Sequence, residues 1–270
     1  MDVVLRIALC SMLVVAGTTT LAETTQQGSK HPSRSDERLV AGVSFDIPGM
    51  GYEDPKTGAI SGFEPNVARA VGEKLLGAPD RVDFVRVLDK DRIKALQDGR
   101  VDIVVSQLTI TPDRAEQVDF SVPYIVTGEG LLVLKGSSIK GFEDLAGKRI
   151  AATAGSLSLR RMRGALPSLP GATLVITPTS SETVAAVAKG EADAASNDLI
   201  DLKFLRGAAD RPDQYELIDI GADFDPKPFG IAVKKGDRSL VDRLNKAIES
   251  LKASGDIDKL LNEAVANVGQ

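Results

Sequence analysis

The order of its hydrophobic runs constrains this chain more than any other feature, because short apolar strands alternate with helix-period segments and the alternation is run through twice. The first pass reads as a strand at 39–43, a helix over 65–76, a strand at 82–87, a helix over 93–98 and a strand at 103–105. Pro65 suits a first helical turn, and Val67, Ala70, Val71, the Lys74 stem and Leu75 supply that helix with an apolar stripe. The second pass starts at Gly130 and places strands at 131–134, 150–152, 173–176 and 192–195, with helices near 157–166 and over 182–189. A further strand at 229–235 precedes closing helices over 240–253 and 257–265. Strand–helix alternation predicts an α/β fold of two lobes, each a mainly parallel sheet flanked by helices. Gly and Pro gather at 122–130 and 221–229, where the chain is expected to cross between lobes, and two crossings make a hinge. The expected boundaries are a first part of lobe 1 at 38–124, crossings at 125–128 and 225–228, lobe 2 at 129–224, and completion of lobe 1 at 229–270.

What precedes residue 38 is of another kind. Residues 1–22 carry Arg6, an apolar run over 7–16 and the small residues leading to Ala22, which reads as a secretory signal. The run is short for a membrane span, which needs about 20 apolar residues. Residues 23–37 have no large apolar side chain to bury and are expected to form a polar tether. An exported protein follows, in a periplasm or at the cell surface. Cys10 is the one cysteine, and the bulky Leu9 before it argues against lipidation, so the mature chain has no disulfide and must be held by packing. His31 is the one histidine and lies in the tether, which leaves no place for a His-dependent triad or a His-ligated metal. No cofactor is expected. The formal charge of -5 is mild and the signs are interspersed, so nucleic acid is a poor partner. A monomer is expected.

One stretch is specific. Gly99-Arg-Val-Asp-Ile-Val-Val-Ser-Gln-Leu-Thr-Ile-Thr-Pro-Asp-Arg-Ala-Glu-Gln-Val-Asp-Phe-Ser-Val-Pro-Tyr124 resembles the signature of the bacterial extracellular solute-binding proteins of family 3, the polar amino-acid group. Further pieces agree in order: Ser61-Gly-Phe-Glu64, Asp144-Leu-Ala-Gly-Lys148, Gly155-Ser156, Gly190-Glu-Ala-Asp-Ala194, Asp198 and Phe229-Gly-Ile-Ala-Val233. The resemblance implies a type II periplasmic-binding-protein fold, an amino-acid ligand enclosed by lobe closure, and delivery to the membrane subunits of an ABC importer. It implies a binding protein and no enzyme.

Residue chemistry bears on the same positions. A ligand carboxylate needs a planar double donor, and Arg114, after the Pro112-Asp113 turn, suits a bidentate grip; alone it would read as a surface arginine, and the motif around it reverses that. Thr109 and Ser156 offer hydroxyl and N–H groups to the same carboxylate from opposite lobes, although Ser156 also reads as an ordinary helix N-cap. For the ligand ammonium the resemblance implies Asp198; the alternative is that Asn197-Asp198 are simply turn residues, and the positional match favours the ligand role. The segment Ser44-Phe45-Asp46-Ile47-Pro48-Gly49 keeps the shape of the family's Lys-Phe-Asp-x-Pro-Gly but has Ser44 for the lysine, while Arg92 keeps a second cation. Ser44, Phe45, Gln107 and Arg92 complete the candidate set. Arg92 reads either as a cation for a distal ligand group or as a solvated arginine at a helix start, so glutamate, aspartate and glutamine all stay open. Glu64-Pro65-Asn66 departs from the family's acid-x-Asp form and is expected to leave the site unaffected. Two other functions fit the scaffold: an amino-acid sensor with a separate signalling partner, and a dehydratase, for which no extra acid stands out near the motifs.

Overall fold

The computed structural model describes residues 38–268; the expected signal segment and tether lie outside the described residues. The chain opens with β1 (Leu39–Val43), then β2 (Asp46–Ile47), β3 (Gly51–Glu53) and β4 (Ile60–Ser61), which pair as a small antiparallel sheet. Helix α1 (Phe63–Leu76) buries Val67, Ala68, Val71 and Leu75 and ends at Gly77, whose φ of 80° is the left-handed C-terminal geometry glycine supplies without strain. It starts two residues before Pro65, which still falls in the first turn, where its missing N–H has no intrahelical acceptor to leave empty. Then come β5 (Val82–Arg86), α2 (Arg92–Gln97), β6 (Ile103–Val104), α3 (Pro112–Ala115) and β7 (Val118–Thr127).

The second lobe comprises β8 (Glu129–Leu134), β9 (Arg149–Thr153), α4 (Leu157–Ala165), β10 (Thr173–Thr177), α5 (Ser180–Ala188), β11 (Ala194–Asp198), α6 (Leu199–Gly207) and β12 (Tyr215–Asp219). The chain then returns through β13 (Lys227–Lys234) and closes with α7 (Arg238–Ala253) and α8 (Asp256–Asn267). The large sheets have the orders β5-β1-β6-β13-β7 and β10-β9-β11-β8-β12.

These sheets correct the expectation of mainly parallel pairing. In each, two pairings are parallel (β1 with β5 and β6; β9 with β10 and β11), and the two involving the crossing strands are antiparallel. The reason is connectivity: β7 leaves the first sheet and runs through Gly128 into β8 of the second, and β13 brings the chain back, so the outgoing β7 and the returning β13 run in opposite directions. Residues 125–127, expected as part of a crossing, are the end of β7 and pair with the start of β13 as Ile125↔Phe229, Val126↔Pro228 and Thr127↔Lys227. The two connections therefore form one antiparallel ribbon. Strand β12 and helix α6 were not anticipated, and neither was the β2–β4 sheet; the last has strands of two or three residues, too short to show a period.

The main core runs through both lobes, from Val67, Val71 and Phe63 to Leu132, Ala195, Leu202 and Phe204. Tyr124 links its aromatic centre, lying 6.2 Å from Phe63 and 6.3 Å from Phe229 between ring centroids. Such tilted contacts are worth about 1 kcal/mol each beyond area burial.

Candidate functional site

The lobes meet along a line of polar contacts, and most of the candidate residues lie on it. Gly155, between β9 and α4, has φ 86°, and a Cβ there would stand 2.4 Å from the Lys90 Cα of lobe 1. Only glycine permits both the conformation and the approach. Its carbonyl accepts from Arg114 Nη2 at 3.1 Å and from Arg92 Nη2 at 3.4 Å, so two guanidiniums of lobe 1 converge on one backbone oxygen of lobe 2. Arg160 of α4 pairs with Asp113 of α3, and Asp46 Oδ2 accepts from the Ser181 N–H at 2.9 Å, placing a lobe 1 carboxylate on the N-terminal turn of α5.

Arg114 gives its other terminal nitrogen to the Thr109 carbonyl at 2.9 Å, and among the described residues it has no carboxylate partner. Burial, with the Arg92 charge beside it, lowers its pKa to about 9, so it stays a cation at neutral pH at a cost that an anion would remove. Arg92 is 1% exposed, which removes the reading as a solvated helix-start arginine. Its Nε donates to Asp89 O at 3.0 Å, its Nη1 to Ser106 O at 2.5 Å, and its Nη2 lies 3.3 Å from Asp89 Oδ2. The cation expected for a distal ligand group is thus committed to the protein's own oxygens. Ser156 is the N-cap of α4, its Oγ accepting from the Leu159 N–H at 3.0 Å. Thr109 is buried in a bridge to Phe229. Phe45 is half-buried beneath the Arg86 guanidinium, 5.4 Å from ring centroid to Cζ.

Ser44 and Gln107 belong to a second group. Gln107 Nε2 donates to Ser44 Oγ at 3.0 Å and to Glu64 Oε2, and its backbone N–H donates to Glu64 Oε1 at 2.7 Å. The Tyr124 hydroxyl also donates to Glu64 Oε1. Gln107 has φ 41°, left-handed backbone that a non-glycine residue adopts only where neighbours enforce it, and Glu64 takes both its main-chain and its side-chain N–H. The expectation that the Glu64 segment leaves the site unaffected is therefore corrected: Glu64 fixes two candidate residues, Gln107 directly and Ser44 through it. Burial pushes the Glu64 carboxyl up to about 7 despite the donors around it.

Beside this lies a charge cluster that sequence reasoning missed. Lys227, the first residue of β13, is 0% exposed. Its Nζ lies 2.8 Å from Glu129 Oε2 and 3.0 Å from Asp198 Oδ1, and donates to Ser158 Oγ at 2.8 Å. Glu129 is also held by Ser196 Oγ at 3.0 Å and approached by Arg161 at 3.4 Å. Asp198 occupies the N-cap position of α6 yet makes no capping hydrogen bond. A residue present only for the turn would use its carboxylate there. Asp201 follows one turn later, buried, and burial, then Asp198, Glu64 and Asp89, raise its pKa well above the usual range. The expectation that no extra acid stands near the motifs is corrected by Glu64 and Asp201. Local sequence gave little sign of Lys227, a lysine between two prolines, or of Asp201, an acid in the first turn of α6.

Two mixed sheets joined by a two-stranded ribbon, with buried charged side chains at their junction, have the architecture of a two-lobed solute-binding protein. The chain belongs to the bacterial extracellular solute-binding proteins, family 3, whose model matches residues 39–266. It is similar to the ABC transporter glutamine-binding protein GlnH of Bacillus subtilis (strain 168), with 34% identity over 228 residues, 84% of this chain and 81% of that protein. A glutamine-binding protein of Geobacillus stearothermophilus is 30% identical over 221 residues, covering 82% and 78%. Among solved structures, an ancestral arginine-binding protein bound to arginine superposes with a TM-score of 0.74 at 32% identity, covering 84% of this chain and 97% of that one. No helix among the described residues is long and apolar enough to cross a membrane.

Proposed function

We propose that this is an exported receptor that encloses one amino acid, with a side-chain amide as in glutamine the best match, and delivers it to an ABC importer. The observation that carries the reading is the convergence of Arg114 and Arg92 on Gly155 at the lobe junction, with Asp198 at the start of α6 as a candidate acid for the ligand ammonium. Arg114 is the carboxylate clamp, with Thr109 and Ser156 beside it. Asp198 holds the ammonium through the oxygen that Lys227 leaves open. Residues 125–128 and 225–228 are the hinge about which lobe 2 (129–224) turns, and closure presents a new surface to the importer. Two observations favour an amide over a carboxylate at the far end of the ligand. Arg92 is saturated by protein oxygens, and Ser44 brings no charge. A side-chain carboxylate would then be buried without a cation, which is costly. The glutamine-binding relatives point the same way. The dehydratase alternative needs a positioned general acid, and Glu64 has the raised pKa but commits both oxygens to Gln107 and Tyr124.

Calorimetric titration of residues 23–270 against the twenty amino acids tests the reading. Saturable binding of glutamine, tighter than of glutamate, is expected; binding of none of the twenty overturns it.

A further inference from the structure

Four acidic side chains are buried among the described residues: Glu64, Glu129, Asp198 and Asp201. Three have partners. Glu64 is held by Gln107 and Tyr124, Glu129 by Lys227, Arg161 and Ser196, and Asp198 by Lys227. Asp201, 2% exposed, has neither a hydrogen bond nor an ion pair to its carboxyl group. An unmatched buried carboxyl group is rare, because its desolvation is not compensated, and it marks a place where a partner arrives from outside the chain.

Its position indicates which partner. Asp201 is three residues after Asp198 in the first turn of α6, so both side chains lie on one helix face. That helix belongs to lobe 2 but packs against β2 of lobe 1, and Phe204 of the same helix stands where a Cβ on Gly49 would fall. Charges of both lobes act on Asp201: Asp198 from its own, Glu64 and Asp89 from the other, and Lys227 from the ribbon between them. The group therefore lies between the lobes, beside the acid assigned to the ligand ammonium.

We propose that Asp201 is a specificity-determining residue of the ligand site, pairing with a side-chain amide of the bound amino acid; this rests on the amino-acid-binding reading above. Burial, with Asp198, Glu64 and Asp89 nearby, raises its pKa well above the usual carboxylate range and so favours the protonated form of its carboxyl group. A neutral carboxyl group offers one O–H donor and one carbonyl acceptor, and a primary amide offers one carbonyl acceptor and N–H donors, so the two groups match at two points. A ligand carboxylate presents acceptors only and would set one of them against the Asp201 carbonyl. A guanidinium presents donors only and leaves the Asp201 hydroxyl without an acceptor. Residues that recognise a polar group in this way discriminate strongly, since the wrong ligand leaves a buried polar atom unpaired.

The test is calorimetry of the wild type, Asp201→Leu and Asp201→Asn with glutamine, glutamate and arginine at pH 7, with thermal melts of the unliganded proteins. The wild type is expected to bind glutamine at least tenfold tighter than glutamate or arginine. Asp201→Leu should lose that preference, weakening glutamine at least thirtyfold and glutamate less than threefold, while melting no lower than the wild type because an unpaired acid has been removed. Asp201→Asn, which keeps a donor and an acceptor, should retain most of the glutamine affinity. Equal weakening of all three ligands, unchanged glutamine affinity in Asp201→Leu, or a wild type that prefers glutamate or arginine overturns the role of Asp201 while leaving amino-acid binding intact. If Asp201→Leu does not fold, the glutamine affinity of Asp201→Asn decides, and its loss overturns the inference. A wild type that binds none of the twenty amino acids overturns both this inference and the proposed function.

Discussion

The two ends of the lobe junction are built on opposite plans. At the cationic end, Arg114 and Arg92 give their donors almost entirely to backbone carbonyls, those of Thr109, Asp89, Ser106 and Gly155, and of the two only Arg92 makes an ion pair, with Asp89. At the acidic end, side chain meets side chain: Lys227 with Glu129 and Asp198, and Glu64 with Gln107 and Tyr124. Carbonyls hold the Arg114 guanidinium in place without neutralising it, so Arg114 keeps its charge for a ligand carboxylate. Ion pairs neutralise, so the acidic end is largely closed on itself, and Asp201 is the exception. The difference separates what each end contributes: the first should govern affinity, the second fold stability and selectivity.

The largest effect that would break this comparison is expected at Lys227. In Lys227→Met, Glu129 keeps Arg161 and Ser196, but Asp198 loses the one cation within 4.0 Å of it among the described residues. Removing one member of a buried pair should cost roughly 3 to 5 kcal/mol of folding free energy. Urea titration measures it, and adding Glu129→Gln to the variant should restore part of the loss. A cost under about 1 kcal/mol would mean that the acidic end is not held by its ion pairs.

Arg114→Ala should do the reverse, with a large change in affinity and a small one in stability. Loss of a desolvated charge-assisted contact should weaken every amino acid that the wild type binds by roughly 2 to 5 kcal/mol, since all share the carboxylate. Calorimetry and a melting curve on the same preparation separate the two quantities. Near-normal affinity in the folded variant would take Arg114 out of the site.

Glu64 should make stability depend on pH in an unusual direction. Its folded pKa of about 7 lies above the ordinary 4.5, so the folded state holds the proton more tightly than the unfolded chain does. Its contribution is fully present below pH 4.5 and is lost as pH rises through 7, a fall of about 3 kcal/mol. Asp46, raised to about 6 by burial, acts in the same direction. Unfolding free energies between pH 4.5 and 8 check the sign, and Glu64→Gln should flatten the slope. A slope unchanged by that substitution would assign the titration elsewhere.

The contrast between the ends also decides what could be read from sequence. Arg114 and Thr109 lie in one contiguous motif, because gripping a guanidinium with a nearby carbonyl is a local matter: Thr109 is five residues from Arg114; Gly155-Ser156 was legible only as a motif of its own, and its contact with Arg114, 41 residues away, was not. The strand–helix order was legible for the same reason, as periodicity is a local property. The acidic end joins Glu129 to Lys227 and Glu64 to Gln107, across 98 and 43 residues, and no local pattern records such a partnership. Glu64 lay within a recognised motif and was still misjudged, since a glutamate in a first helical turn ordinarily faces water and favours the helix dipole. The antiparallel halves of both sheets were missed likewise, because alternation reports elements and not the direction in which the connecting ribbon re-enters.

The smallest expected effect concerns Ser156, where the two plans overlap. Its hydroxyl accepts from the Leu159 N–H at 3.0 Å, so Ser156→Ala should destabilise the fold by about 1 kcal/mol through loss of the cap alone. If capping is its whole role, ligand affinity stays unchanged; if the residue also faces the ligand carboxylate, affinity falls as well. Ser156→Asp separates the two more sharply. Aspartate caps a helix as well as serine does, so the melting temperature should hold, while its negative charge beside the Arg114 clamp should repel the ligand carboxylate and weaken binding about tenfold, or 1.4 kcal/mol. Unchanged affinity in Ser156→Asp would confine Ser156 to α4, leaving Arg114 and Thr109 as the carboxylate site, contributed entirely by lobe 1. The ligand would then bind to an open lobe before closure, and Gly155 would meet it only as the lobes come together.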